Sequence, residues 1–242
     1  MFDFIKLSKR ISSEGKERLK QNIDFEVNVV EPTGEVISRL PNGKKVKQHR
    51  ECWLKNIKIK LYPNCYTEIS GSIHKFFNNG LHNYNQYSIK DVKQTISLLS
   101  EQMGININEF KVDAVEIGCN LTPPILSQEI IQNSLMFKRY SFQSRICSDE
   151  GSYKQANLYE YAIKLYDKRK HYELKNHDVG EEILRFEIKI NKMRKLSSFS
   201  VYHLTDLVNK LNKIKDILPE LWSDVLLYDP TMDKMTKEKT IR

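Results

Sequence analysis

Residues 158–168 read LYEYAIKLYDK, and the period of their side chains decides what kind of fold to expect. Along an extended strand successive side chains point to opposite faces. Tyr159, Tyr161, Ile163 and Leu165 therefore share one face, and Glu160, Ala162, Lys164, Tyr166 and Lys168 the other. EEILRFEIKI (181–190) repeats the pattern, with Leu184, Phe186, Ile188 and Ile190 opposed to Arg185, Glu187 and Lys189. Both segments read as strands with one apolar face and one face rich in ionisable groups.

The same period extends upstream. In WLKNIKIKLYP (53–63), Ile57, Ile59 and Leu61 oppose Lys58 and Lys60. TEISGSIHKFF (67–77) reads as a strand with Ile69 and Ile73 against Glu68, Ser70, Ser72 and His74. FKVDAVEIGCNL (110–121) sets Val112, Ala114, Glu116, Gly118 and Asn120 on one side, and Asp113 with Val115 and Ile117 on the other. DFEVNVVEPTGEVIS (24–38) suggests two β segments about a Pro-Thr-Gly turn, and Asn42-Gly43 marks a second turn.

Helical periods are fewer. Ser88 with Asp91 three residues on predicts an N-terminal cap, Ile89, Val92, Ile96, Leu99 and Met103 form a stripe, and Gly104 ends it. A short helix is expected over 125–137, and the Gly, Ser and Asn content of 148–157 predicts a loop. Beyond residue 198, Leu204, Leu207, Val208, Leu211 and Ile214 share a helix face, and Pro219 breaks the pattern. A second short helix is expected through Leu221, Trp222, Val225 and Leu226, with the last dozen residues polar and frayed. The expected class is α+β: a mainly antiparallel sheet, helices on one face, a polar face opposite and a C-terminal helical segment. The expected domains are 1–197 and 198–242.

Composition narrows the function. With 40% hydrophobic and 10% aromatic residues the 242-residue chain reads as folded rather than disordered. It has no apolar run of about twenty residues and no secretory leader pattern, so a cytoplasmic protein with no membrane contact is expected. Cys52, Cys65, Cys119 and Cys147 form no C-x-x-C pair and are expected to be buried free thiols. The net charge of +8 is uneven: residues 138–195 hold fourteen Lys/Arg against nine Asp/Glu, five of the eight excess charges. Such a balance suits a polyanion, because neutralised phosphates release counterions.

If the apolar faces pack under the helices, the opposite face gathers His74, Glu116, Tyr166, Lys168, Arg185 and Glu187. Two carboxylates and an imidazole suit a hard divalent cation. A phenol beside it is a nucleophile for a phosphodiester, with Lys and Arg on flanking phosphates. A solvated sheet face with cross-strand Glu–Lys and Glu–Arg pairs accounts for the same residues without chemistry.

The order SGSIHKFFNNGLHNYNQYS, VDAVEIGCNL, KLYDKRKHYE, ILRFEIKI resembles the rolling-circle replication initiators of filamentous phages (gene II type) and plasmids (Rep_trans type) over residues 55–195. The Y-D-K and L-R-F-E pair is the most specific part. The resemblance implies a replication initiation protein, a metal-dependent nicking and closing enzyme. It would cut one strand at a phage or plasmid origin, single-stranded at the nick, through a 5′-phosphotyrosine bond. By position it implies Tyr166 as nucleophile, Lys168 as its cationic neighbour, Arg185 on a phosphate, and Glu116, Glu187 and His74 as ligands of Mg²⁺ or Mn²⁺. It allows a host helicase and a second copy of the chain as partners. There is no His-hydrophobic-His motif, which sets the chain apart from the two-histidine nickases. Tyr159 and Tyr161 compete for the nucleophile's role if a bulge shifts the register, although parity favours Tyr166.

The basic segments 44–50, 138–145 and 164–170 are candidate backbone contacts, and Tyr84, Tyr87 and Tyr153 candidate stacking residues. The rival reading is a non-catalytic DNA-binding module, for a replication or regulatory role, that holds the polyanion on the same polar sheet surface.

Overall fold

The structure is a computed structural model; it describes residues 2–27, 49–147 and 151–229, and for Val27, Ile146, Cys147, Gly151 and Ser152 the backbone alone. The Pro-Thr-Gly and Asn42-Gly43 turns, residues 44–48 of the first basic segment, the thiol of Cys147 and the polar last dozen residues lie outside the described residues. The chain is an α+β protein that divides into two compact units, Met1–Ile117 with Ile190–Ile214, and Gly118–Lys189 with the segment from Lys215 onward.

The first unit opens with β1 (Phe2–Arg10), then α1 (Ser13–Asn22), β2 (Glu26–Val27), β3 (Arg50–Leu54), β4 (Ile57–Leu61) and β5 (Tyr66–Ser72). α2 (Ile73–Phe77) and α3 (Ile89–Met103) precede β6 (Lys111–Leu121), which begins in this unit and ends in the second. Strand order here is β2-β3-β4-β5-β1-β6, and every described pairing is antiparallel. β1 is central, between β5 and β6, and its Ile5 and Leu7 are fully buried with Ile57, Ile59, Leu61 and Ile69.

The helices of this unit follow their local signals. Ser88 caps α3: its side chain accepts from the Asp91 N–H while the Asp91 carboxylate accepts from the Ser88 N–H at 2.8 Å. Gly104 closes the helix at φ 65°, a conformation in which a Cβ would collide with the Asn22 side chain. Val92, Ile96, Leu99 and Met103 are buried as the stripe predicts. A 3-10 helix over Met193–Phe199 leads into α6 (Leu204–Ile214), whose five predicted apolar residues are all buried.

Two departures matter for the site. The strand expected over 67–77 stops at Ser72, whose hydroxyl accepts from the Lys75 N–H and caps α2, so His74 stands on a helix. In β6 the register against β1 runs Leu7↔Val112 then Lys6↔Ala114, a bulge at Asp113. The extra residue rotates the strand, so Val112 joins Val115 and Ile117 in the core instead of facing away from them.

The second unit continues with α4 (Ser127–Asn133), β7 (Ser134–Phe137), β8 (Tyr140–Ser141), β9 (Gln143–Cys147) and β10 (Gly151–Asn157). β11 (Tyr161–Asp167), α5 (Lys168–Glu173), β12 (Leu184–Ile190), α7 (Ile217–Ser223) and β13 (Val225–Leu227) complete it. Strand order is β6-β12-β11-β10-β9, with a separate sheet β13-β7-β8. The helix expected over 125–137 ends at Asn133 and becomes a strand. The expected loop at 148–157 yields β10, paired with both β9 and β11. Val225 and Leu226 leave the helix for β13, where Leu226 pairs with Met136. Pro219 does not break the helical run; Lys215 and Asp216 do, and Pro219 lies in the first turn of α7, where no N–H donor is needed. Among the described residues no helix is long and apolar enough to cross a membrane.

Adjacent leucines on α3 test this packing. Leu99→Ala, at a fully buried position, is expected to cost about 2–5 kcal/mol in urea unfolding. Leu98→Ala, at an exposed one, should stay within about 0.5 kcal/mol of the parent.

Candidate functional site

The motif tyrosine ends a strand. β11 runs to Asp167, whose carboxylate accepts from the Lys170 N–H at 2.9 Å and starts α5. Tyr166 is thus the penultimate strand residue, half-buried, directly opposite Tyr153 of β10 and with its ring 6.0 Å from that of His171. Tyr153 is half-buried in the same way, and Lys164 Nζ lies 5.6 Å from its ring centre.

The registry of β12 follows from two contacts with β11. The Lys168 N–H donates to the Ile183 carbonyl at 2.8 Å, and Lys164 Nζ lies 3.5 Å from a Glu187 oxygen. Midway between these anchors Tyr166 comes level with Arg185. The parity of β12 is as expected, since Leu184, Phe186 and Ile188 are buried and the ring of Trp222 meets that of Phe186 edge-on at 5.1 Å.

The opposite face is not a solvated one. Arg185 and Lys168 are 0% exposed and Glu187 3%. Buried charges need polar partners, because desolvation costs several kcal/mol per ion. The Oδ1 of Asn120 supplies one to both cations, accepting from Lys168 Nζ at 3.3 Å and from Arg185 Nη1 at 3.1 Å. Arg185 Nε donates to Glu187 at 3.2 Å. Gly118 makes the arrangement fit: a Cβ there would stand 2.6 Å from Glu187 Cβ and from the Phe186 carbonyl oxygen, and 2.9 Å from Arg185 Cζ. Sequence reasoning placed Gly118 and Asn120 on the correct face but assigned them no role. Parity carries no signal that an amide joins two cations.

The six predicted residues divide between the units. Tyr166, Lys168, Arg185 and Glu187 belong to the second, where Lys168, Arg185 and Glu187 are joined directly or through Asn120. His74 and Glu116 belong to the first. His74 is fully buried, its Nε2 2.7 Å from Asn85 Oδ1 and its ring stacked on Tyr87 at 4.3 Å. Tyr87, expected as an exposed stacking residue, is buried, and burial pushes its phenol well above the usual range. Tyr84 stacks on His82 at 4.2 Å.

The rival tyrosines part company. Tyr161 is buried, with its ring edge-on to Phe137, and burial raises its phenol pKa. Tyr159 does not face the apolar layer as parity predicted: β11 begins two residues later, and Tyr159 is 76% exposed in the turn closed by the Leu158 N–H to the Tyr161 carbonyl.

A divalent cation finds no ready donor set. Among the described residues no group of three or more His, Cys, Asp or Glu is placed to hold a metal ion. Glu187 is engaged by Arg185 and Lys164. Cys52, Cys65 and Cys119 are free thiols; Cys52 is buried, with burial pushing its pKa up to about 11, whereas Cys65 and Cys119 are half-buried rather than buried.

No protein-family model matches the chain, and no curated protein is significantly similar to it. Among solved structures it is similar to a rolling-circle replication initiator protein from Geobacillus stearothermophilus, at 11% identity and a TM-score of 0.42 over 81% of this chain and 75% of that one.

Two substitutions probe the local energetics. Gly118→Ala should cost about 1–3 kcal/mol by overpacking, read as a shift of the urea midpoint. At Asp167, burial raises the carboxyl pKa above its ordinary value, so ionisation opposes folding. The folded protein then takes up the proton first as pH falls, and wild type gains on Asp167→Asn, which keeps the cap without the charge. The asparagine variant is expected to be at least as stable at pH 7, and its advantage should vanish through the carboxylate range in thermal melts.

Proposed function

We propose that the chain is a replication initiation protein that nicks and rejoins one DNA strand through Tyr166. The observation that carries this reading is the setting of the phenol: level with a buried guanidinium, two residues ahead of a buried ammonium, with both cations held by Asn120. Phosphodiester cleavage by a phenol builds negative charge on the phosphate, and preorganised cations stabilise it there.

In this reading Tyr166 loses its proton and its Oη attacks the phosphorus of the scissile bond. The P–Oη bond forms and the P–O3′ bond breaks. The departing 3′ oxygen takes a proton, and the 5′ phosphate stays on the tyrosine. Attack by a 3′ hydroxyl on that phosphotyrosine reverses the step and reseals a strand. Arg185 and Lys168, buried behind the phenol, favour the phenolate and the charge on the non-bridging oxygens through their field rather than by direct contact. Asn120 and Gly118 keep the two cations in register. A divalent cation belongs to the reaction implied by the sequence resemblance; the described residues do not assemble its ligands, and no step here runs through it.

A covalent-adduct assay tests the proposal. Labelled single-stranded oligonucleotides from the parent replicon are incubated with the full chain and resolved on a denaturing gel. An adduct is expected from wild type and from Tyr159→Phe, with at least a hundredfold loss in Tyr166→Phe, since without the nucleophile about 10² or more in rate disappears. An undiminished band in Tyr166→Phe assigns the nucleophile elsewhere. DNA binding without any adduct supports the non-catalytic module instead. Parallel lanes with Mn²⁺, Mg²⁺ and chelator report whether the reaction needs a divalent cation.

A further inference from the structure

The first unit has a sheet face that the reaction at Tyr166 does not use. Directly opposite residues in antiparallel strands share a face, so the registers of β3, β4, β5 and β1 can be read as rows. One row runs Trp53, Lys58, Ser70, Lys6. The next runs Glu26, Glu51, Lys60, Glu68, Ser8. A third brings together Tyr62, Tyr66 and Arg10, with ring centres of Tyr62 and Tyr66 5.7 Å apart and His49 5.2 Å from Tyr62. The alternate residues of these strands, Ile57, Ile59, Leu61 and Ile69, are buried on the opposite side, so the rows form the outer face.

Two properties of this face point to one ligand. It carries aromatic rings at both ends. Trp53 is 62% exposed, an expensive position for an indole, with Lys58 Nζ 5.3 Å from its ring centre. From Lys58 to Tyr62 the strand advances about 13 Å, the scale on which single-strand-binding sheets stack two or three bases. The face is also cationic. Glu51 is neutralised within it by Lys58 at 3.0 Å and contacts His49 at 3.1 Å. Lys60, Lys6 and Arg10 make no ion pair among the described residues; Lys60 lies between Glu51 and Glu68, whereas Lys6 is opposite Ser70 and Arg10 opposite Tyr66, so with Lys58 four cations stand against Glu26, Glu51 and Glu68. Rings for bases, flanked by the Lys6 ammonium and the Arg10 guanidinium with no carboxylate directly opposite either, match a single-stranded nucleic acid better than an acidic or an apolar peptide.

We infer that the outer face of β1, β3, β4 and β5 binds single-stranded nucleic acid by stacking bases on Trp53, Tyr62 and Tyr66. Lys6, Lys60 and Arg10 contact the backbone. This binding does not rest on the nicking activity and involves no covalent step.

The test uses the full chain carrying Tyr166→Phe, so that strand cleavage cannot contribute, and fluorescein-labelled dT15, rU15 and a 15-base-pair duplex. Fluorescence anisotropy is expected to show both single strands binding more tightly than the duplex. Their relative affinities decide whether DNA or RNA is the preferred source of the strand. Trp53→Ala should weaken single-strand binding about five- to hundredfold, the usual range for a stacked base. Removing Lys6 and Lys60 together as glutamines should lower the salt slope by about 1.4. Trp53→Phe, which keeps a ring, should restore most of the affinity; loss of packing alone would not be rescued in this way. Single-strand binding unchanged in Trp53→Ala, or duplex bound as tightly as single strands, overturns the inference. So does the absence of any binding. Because binding is read without cleavage, failure of the adduct assay leaves this result standing, and a positive adduct assay does not substitute for it.

Discussion

One amide oxygen governs the polar interior of the second unit. Arg185 and Lys168 are both removed from water, and each needs an acceptor where it loses its hydration. Asn120 Oδ1 meets both, and it reaches them because β6 carries no side chain at Gly118. A methyl group at that position would press on the Phe186 carbonyl and the Glu187 Cβ and part the strands. The location of Tyr166, level with Arg185 and just ahead of the cap at Asp167, depends on that approach. A neutral acceptor adds no further negative charge to that of Glu187, which already pairs with Arg185.

The first unit solves a different problem. Its apolar strand faces are covered by helices whose ends are fixed locally, by the Ser88–Asp91 reciprocal cap and the left-handed Gly104 of α3 and by the Ser72 cap of α2. With one face sealed, the other is free to carry rings and cations. Trp53 remains exposed there, although burying an indole is among the larger hydrophobic gains open to a small domain. An exposed ring beside Lys58 reads as retained for a ligand rather than for stability.

Much of this was legible along the chain. The stripes of α3 and α6, the cap and stop of α3, and the parity of β4, β11 and β12 all depend on neighbours within a few residues, and each appears where the pattern puts it. β1 was not read, although it is the central strand of its unit: FDFIKLSKR interleaves its apolar and polar residues less cleanly than β4 does, and its pairing partners lie some sixty and more residues away. Gly151, Ser152 and Asn157 are poor strand formers, so composition alone predicts a loop where β10 forms. Pairing on both edges outweighs that weakness. His74 changed element because a serine hydroxyl ended a strand that alternation alone would have continued.

For the candidate site the division is sharper. Alternation by itself determined that Tyr166, Arg185 and Glu187 face away from the apolar side of their strands, since a period of two leaves no other choice. It did not determine whether that side meets water. Only the tertiary structure buried Arg185, Glu187 and Lys168, by bringing the glycine and asparagine of β6 against β12. The same holds for the bulge at Asp113, where one extra residue against β1 reverses a parity that the segment read alone fixes the other way. The sequence specifies the side of a strand on which a group lies, because backbone geometry is local; what covers that side is a property of distant strands, and it converts a row of surface charges into a buried cationic site.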